Sequence, residues 1–112
     1  MKFIESYKHY FAKKILARWL SCEYETRTEI KFYLGKKIYF IADIVCFDHN
    51  EPFAIYEITH SHGIDFRKLA RIQQWSYQNA IQLQVYEVQA EWVLCQIRKP
   101  EKLKYIDYTI II

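Results

Sequence analysis

Residues 39–59 read YFIADIVCFDHNEPFAIYEIT, two strand-like apolar runs joined by a polar turn. The turn covers residues 48–52 and contains asparagine and proline, which favour a reversal of the chain. Each run is apolar on both faces, as strands in the interior of a sheet are. Each run also carries one acid in its middle, Asp43 in the first and Glu57 in the second. The stretch therefore predicts an interior pair of strands that buries two carboxylates.

The segments around this pair predict an α+β (mixed α/β) fold. Apolar spacing of three and four residues indicates helices, and alternation or short apolar runs indicate strands. We expect a single domain over residues 1–112, with a central mixed sheet of about four to five strands flanked by helices. The expected elements are helix 3–20, strand 28–34, the two runs above, helix 65–80 with Asp65 as its N-cap, strands 82–89 and 91–97, and a β-prone tail 105–112.

Composition and charge limit the classes of function. The chain has 112 residues, of which 52% are hydrophobic, with two glycines and two prolines, so we expect a folded domain. A net charge of +3 permits an anionic partner such as nucleic acid without requiring one. Cys22, Cys46 and Cys95 are widely spaced, which favours reduced thiols and a cytoplasmic protein. No apolar stretch approaches the length of a membrane span, so no membrane partner is expected.

The two acids predict a metal site. A buried carboxylate without a partner costs several kcal/mol. If the two runs pair across the turn, Asp43 and Glu57 converge on one side of the sheet. Two carboxylates and a backbone carbonyl suit Mg²⁺ or Mn²⁺. A core arginine, backbone amides or nearby water could instead satisfy the same acids, and this alternative stays open.

The helix after the two runs carries a second polar group. One stripe of this helix is predicted to face the core, and it includes Gln73 four residues before Tyr77. Lys68 falls nearly opposite that stripe and is not expected at the site. Arg67, Arg71, Gln74 and Gln78 form a polar flank able to reach phosphates. The members of the predicted buried stripe are Phe66, Leu69, Ala70, Gln73, Tyr77 and Ala80.

These residues, taken in order, resemble the PD-(D/E)XK nuclease superfamily. The resemblance is carried by Asp43, by Glu57-Ile58-Thr59 fourteen residues later, and by Gln73-x-x-x-Tyr77 on the next helix. His9 on the first helix and the Gln-x-x-x-Tyr motif are similar to those of RecB-type nucleases. His9 and Lys13, followed by Leu16, form a pattern similar to that of the CoiA-like competence proteins. The resemblance covers roughly residues 5 to 90.

The resemblance implies a restriction-endonuclease-like core of helix, three-strand meander, helix and strand. It also implies Mg²⁺- or Mn²⁺-dependent hydrolysis of DNA phosphodiester bonds. The implied roles are a metal site formed by Asp43, Glu57 and the carbonyl of Ile58, positioning of the substrate or metal shell by Gln73 and Tyr77, and an auxiliary ligand or proton carrier at His9. Lys13, Arg67, Arg71 and Gln74 are the residues expected to contact DNA.

The sequence departs from the family at one position. Thr59 occupies the place of the family's lysine and cannot supply a positive charge near the scissile phosphate. Lys13 or Arg71 is expected to stand in for it. The alternative is a catalytically degenerate nuclease-fold subunit that binds DNA or another protein. The aromatic content of 18% and the β-prone tail predict self-association as a homodimer.

A zinc site is a further alternative. Cys46 and His49 precede the second run, and His60 and His62 follow it. Tetrahedral zinc accepts such ligands. The spacing matches no standard zinc finger, and Cys46 lies within a strand that is expected to be buried.

Overall fold

The computed structural model describes residues 7–60 and 63–96, together with the backbone of residues 109 and 110. Within these residues it shows three helices and one mixed sheet, which confirms the predicted α+β class. Four strands have six or more residues, and the fifth is a two-residue strand at one edge. The elements are α1 Tyr7–Leu20, β1 Glu25–Leu34, β2 Lys37–Asp48, β3 Glu51–Thr59, α2 Phe66–Asn79, β4 Gln84–Gln89, α3 Ala90–Gln96 and β5 Thr109–Ile110.

The strands follow one another across the sheet in chain order, from β1 to β5. The first three form an antiparallel meander, as predicted. The chain then crosses over through α2 so that β4 lies parallel to β3. At the β2–β3 turn His49 and Asn50 both have positive φ, and Asp48 pairs with Glu51. This two-residue turn matches the right-handed twist of the strands and confirms the predicted reversal.

Helices cover both faces of the sheet. Residues of α1 and α3 share one core cluster with side chains such as Ile44, Tyr56 and Val88. Ile72 of α2 packs into a second cluster with Val45 and Ile55. Because apolar layers cover both faces, β2 and β3 are apolar on both sides. The two acids in these strands therefore lie within the protein and not on an open sheet face.

Helix α1 is buried along one stripe, which contains Ala12, Lys13, Leu16 and Leu20. The aromatic side chains of Tyr7, Tyr10 and Phe11 are exposed to solvent. Phe3 and the predicted start of this helix lie outside the described residues. The stripe that contains Lys13 therefore faces the protein, which brings its ammonium group into the interior.

Helix α2 begins as predicted but is rotated relative to the prediction. Asp65 is its N-cap, and the carboxylate accepts a hydrogen bond of 2.8 Å from the amide of Arg67. The predicted buried stripe is wrong, because Gln73 is exposed and Phe66 and Tyr77 are 85% and 84% exposed. The residues that lie inward are Lys68, Leu69, Ile72, Trp75 and Ser76. Exposed aromatic side chains made the wrong face look like the core face.

The segment after β4 also differs from the prediction. Residues 91–97 were expected to form a strand, but Ala90–Gln96 is helical, with Ala90 and Val93 buried at a helical spacing. Short apolar runs fit either structure, so the pattern alone could not decide. Ile97 and most of the predicted tail at 105–112 lie outside the described residues. No described helix has the length and apolar character needed to cross a membrane.

Candidate functional site

The two acids bridge β2 and β3 where the backbone pairing of these strands stops. The last direct pair toward this end is Ile44 with Tyr56. Beyond it, the amide of Asp43 donates to Oε2 of Glu57 at 2.8 Å, and the amide of Ile58 donates to Oδ2 of Asp43 at 2.8 Å. Each carboxylate thus accepts a backbone hydrogen bond that a regular ladder would give to a carbonyl. The two acids meet at one place, as their positions in the two runs predicted.

The sheet register extends these acids into a row across four strands. On β1, Thr28 pairs with Ile44 and Ile30 with Ala42, so Glu29 lies opposite Asp43. Glu29 has a φ of 53°, a left-handed conformation that interrupts regular strand geometry. On the other side Glu57 pairs in parallel register with Glu87 of β4. No local sequence pattern marks Glu29 or Glu87 as part of this site, because the register that aligns them with Asp43 and Glu57 forms only in the sheet.

A lysine from α2 reaches the centre of this row. The ammonium nitrogen of Lys68 forms an ion pair with Oε1 of Glu57. The prediction that Lys68 lies away from the site is wrong, because α2 turns its Lys68–Ile72 face toward the sheet. The two expected substitutes have other partners: Lys13 pairs with Glu29 at 2.6 Å, and Arg71 donates to the carbonyl of Tyr39 at 3.1 Å. Lys68 is therefore a cation in direct contact with Glu57 of the acid pair.

His9 of α1 approaches the same acids from the other face. Its Nε2 lies 3.1 Å from the carbonyl oxygen of Ile58 and 3.4 Å from Oδ2 of Asp43. A carbonyl oxygen only accepts hydrogen bonds, so Nε2 carries the proton in this arrangement. A protonated Nε2 cannot at the same time coordinate a metal. Of the two expected roles, proton carrier fits this geometry, and ligation through Nε2 does not.

The electrostatic environment separates the two carboxyl groups. Burial raises the pKa of Glu57 to about 7, and the nearby charge of Asp43 adds to this effect, although Lys68 opposes it. Burial also acts to raise the pKa of Asp43, but His9, the Ile58 amide and Lys68 together hold it below its usual value. The pair is therefore one ionised carboxylate beside a carboxyl group that exchanges its proton near neutral pH.

The acid pair opens into a cleft of about 550 Å³, which we call the acid cleft. A second groove of about 370 Å³, which we call the Arg71 groove, includes Arg67 and Arg71. Thr59 lines the acid cleft, and its hydroxyl donates to Oε2 of Glu87 at 2.9 Å. Gln73, Gln74 and Tyr77 line neither space. The acid cleft is lined by His9, Lys13, Glu29, Ile41, Asp43, Glu57, Ile58, Thr59, Gly63, Ile64, Asp65 and Lys68.

The donor set at the acid pair fits a magnesium-type ion better than zinc. Asp43, Glu57 and the Ile58 carbonyl offer hard oxygen atoms, and Mg²⁺ needs few protein ligands because it keeps several waters. Across residues 7–60 and 63–96, no three histidine, cysteine or acidic side chains are arranged to hold a metal. Cys46 is fully buried, and His49 is 94% exposed and contacts Asp48. His62 lies outside the described residues, so the described part of the chain does not support the zinc alternative.

Comparison of the chain with models of protein families, with curated proteins and with solved structures found no match. The resemblance to the PD-(D/E)XK superfamily therefore stays a prediction that depends on the residues named above. The geometry of the acid cleft is an independent observation.

Proposed function

We propose that this protein hydrolyses phosphodiester bonds in DNA with the help of Mg²⁺ or Mn²⁺. The observation that supports this function is the convergence of Asp43, Glu57 and Lys68 at one cleft. Two carboxylates and one ammonium, each supplied by a different element, meet at the point where two strands separate. Ionisable groups are costly to bury in a packed core, whereas metal-assisted phosphoryl transfer uses carboxylates to hold the ion and gains from a fixed cation near the phosphate.

Asp43, Glu57 and the carbonyl of Ile58 are the groups that would hold the divalent ion. When bound, such an ion polarises a phosphoryl oxygen and lowers the pKa of a coordinated water. Glu57 is buried beside the charge of Asp43, and burial together with this repulsion raises the pKa of Glu57. A divalent cation held by these acids would offset the repulsion and favour the ionised form of Glu57. The site is therefore built so that metal binding and deprotonation of Glu57 support each other.

Lys68 supplies the positive charge that Thr59 cannot. Its side chain is about three-quarters buried and is held against Glu57, so its charge needs little reorganisation when a phosphate enters the cleft. Lys68 also lines the acid cleft, where its ammonium group can contact an anionic substrate. His9 holds a proton at Nε2 beside Asp43 and can donate it within the cleft. Lys68 and His9 thus approach the acids from opposite faces of the sheet.

One observation favours the alternative, a degenerate scaffold that binds DNA or a protein without catalysis. Both acids accept hydrogen bonds from backbone amides, and Lys68 neutralises Glu57. In the described residues, no buried side-chain nitrogen or oxygen is without a hydrogen-bond partner. A structural ion pair would need no more than this. The two functions differ in whether divalent ions bind at the acids and in whether DNA is cut.

The deciding experiment is a cleavage assay on supercoiled plasmid and on short single-stranded and duplex DNA, with Mg²⁺, with Mn²⁺ and with EDTA. We expect metal-dependent cleavage that falls at least about 10³-fold in Asp43→Ala and Glu57→Ala. In Lys68→Met, which keeps the length of the side chain, we expect a fall of about 10²-fold. Lys14→Ala, an exposed lysine on α1, is the matched control and should cut at the rate of the wild type.

The result that contradicts the proposal is equally specific. If the wild type leaves all substrates intact with both ions while calorimetry shows no Mg²⁺ binding, the acids form a structural cluster. If cleavage persists in folded Asp43→Ala and Glu57→Ala, the activity belongs to another site or to a contaminant. Circular dichroism of each variant separates loss of activity from loss of fold.

A further inference from the structure

The Arg71 groove runs directly into the acid cleft. It lies between Tyr39–Ile41 of β2 and the first turns of α2. Ile41, Asp65 and Lys68 line both spaces, so the two are continuous at the lysine that contacts Glu57. A chain-like substrate with its reactive bond at the acid pair can therefore extend from the acid cleft along the Arg71 groove.

The two walls of this groove have different chemistry. The α2 wall presents Arg67, Lys68 and Arg71, and all three are at least partly exposed. The β2 wall presents the partly exposed ring of Tyr39 and the side chain of Ile41, which is 45% exposed. A single nucleic-acid strand has the same division, with phosphates along one edge and flat apolar bases along the other. A duplex hides its bases and presents phosphates on both sides, so it would leave the apolar wall uncovered.

Arg71 is held in place before any ligand arrives. Its Nη1 donates to the backbone carbonyl of Tyr39 at 3.1 Å, and its guanidinium lies 5.5 Å from the centre of the Tyr39 ring. A guanidinium fixed in this way has further donors for a phosphate, and stacking on aromatic rings or guanidinium planes is how single-stranded bases are bound. The contact therefore joins the basic wall and the apolar wall into one subsite.

We infer that the Arg71 groove binds a single DNA strand next to the bond that is cut, with the backbone along α2 and the bases against Tyr39 and Ile41. This inference rests on the proposed function in that it takes the acid cleft as the place of cleavage. It names the substrate class of that site as single-stranded DNA or a frayed end. Arg67 and Arg71 position the strand and take no part in the chemical step.

The test measures binding without cleavage. Fluorescence anisotropy of a labelled single strand and of the matching duplex is recorded in EDTA, at several salt concentrations. We expect the single strand to bind at least about tenfold more tightly than the duplex. Arg71→Ala should weaken single-strand binding about tenfold. It should also make the fall of the logarithm of the binding constant with the logarithm of the salt concentration less steep, by about 0.7 in slope. Tyr39→Leu should weaken binding while leaving that slope unchanged, because it removes a ring and no charge.

Arg18→Ala is the matched control, since it removes the same charge from α1 outside both spaces and should bind as the wild type does. Equal or tighter binding of the duplex overturns the inference. So does an Arg71→Ala variant that behaves as Arg18→Ala does. Because no metal is present, this outcome is separate from that of the cleavage assay. Selective binding of the single strand without any cleavage would reject the nuclease function and support the strand-binding role of the Arg71 groove. Cleavage at an unchanged rate in Arg71→Ala would support the nuclease function and reject that role of the groove.

Discussion

The two ends of the β2–β3 pair are built from the same strands but differ in their backbone pairing and in their charge. Toward the His49–Asn50 turn the strands pair directly, and Ile44, Val45 and Ile55 are fully buried. Toward the other end the pairing stops, and Asp43 and Glu57 take over the backbone hydrogen bonds. The paired stretch around Ile44, Val45 and Ile55, which we call the closed end, is buried and apolar, whereas the other end, which we call the open end, holds charges in a cleft. Stability should therefore depend on the closed end, and pH and metal response on the open end.

The largest expected effect on stability is at the closed end. Ile55→Ala should lower the free energy of unfolding by about 3 kcal/mol, because it leaves a cavity in a packed core. Asp43→Asn at the open end keeps an oxygen that can accept from the Ile58 amide and should cost less than about 1 kcal/mol. Urea denaturation of the two variants beside the wild type measures the difference. Equal losses would mean that the two ends are not distinct.

The pH dependence of stability should come from the open end. The pKa of Glu57 rises from 4.5 to about 7 on folding, so between these values the folded state keeps a proton that the unfolded state releases. Stability should therefore fall as pH rises from 4.5 to 7, by up to about 3 kcal/mol, and level off above. The pKa of Asp43 is lowered, so its contribution is present above 3.8 and is lost in stronger acid.

Urea denaturation of the metal-free protein at pH 5 and pH 8 checks this expectation. Glu57→Gln should remove most of the difference, because the amide does not titrate in this range. Asp65→Asn, which changes an exposed acid at the N-cap of α2, should leave the difference in place. A wild type that becomes steadily more stable from pH 4.5 to 7 would show that Glu57 is ionised throughout.

Divalent ions should act on the open end alone. At pH 8 and a Mg²⁺ concentration about 100-fold above the dissociation constant, the free energy of unfolding should rise by about 2–3 kcal/mol. Ile55→Ala, although less stable, should gain the same increment, because it keeps both acids. Asp43→Asn should gain little. An equal gain in Asp43→Asn would mean that the ion binds elsewhere on the protein.

A small effect on both stability and cleavage is expected at Thr59, the position at which the resemblance to nucleases would place a lysine. Thr59→Val replaces the hydroxyl that donates to Glu87 by a methyl group of similar size. We expect a loss of about 1 kcal/mol in the free energy of unfolding and little change in cleavage rate. Denaturation and the plasmid assay measure both quantities. A large fall in cleavage with intact stability would give Thr59 a direct role in the reaction.

The acid pair was predictable from the sequence because its signals are local. Two apolar runs, one acid in each and a turn between them are enough to place Asp43 and Glu57 together. The contact of Lys68 with Glu57 was not predictable in this way, because it depends on which face of α2 packs against the sheet. Leu69, Ile72 and Trp75, spaced by three residues, were a signal for the true inner face of α2, but Phe66 and Tyr77 outweighed it although both are exposed. Large aromatic residues suggest burial without ensuring it.

The sequence by itself determined the two acid-bearing strands, the turn between them and the start of α2, because short apolar runs and turn and cap chemistry act over a few residues. Tertiary structure alone decided which cation meets the acids and which acids join them in a row. The rotation of α2 is set by the packing of Ile72 against the sheet, and the alignment of Glu29 and Glu87 is set by the register of four strands. Both depend on contacts between segments far apart in the chain, which no local pattern contains.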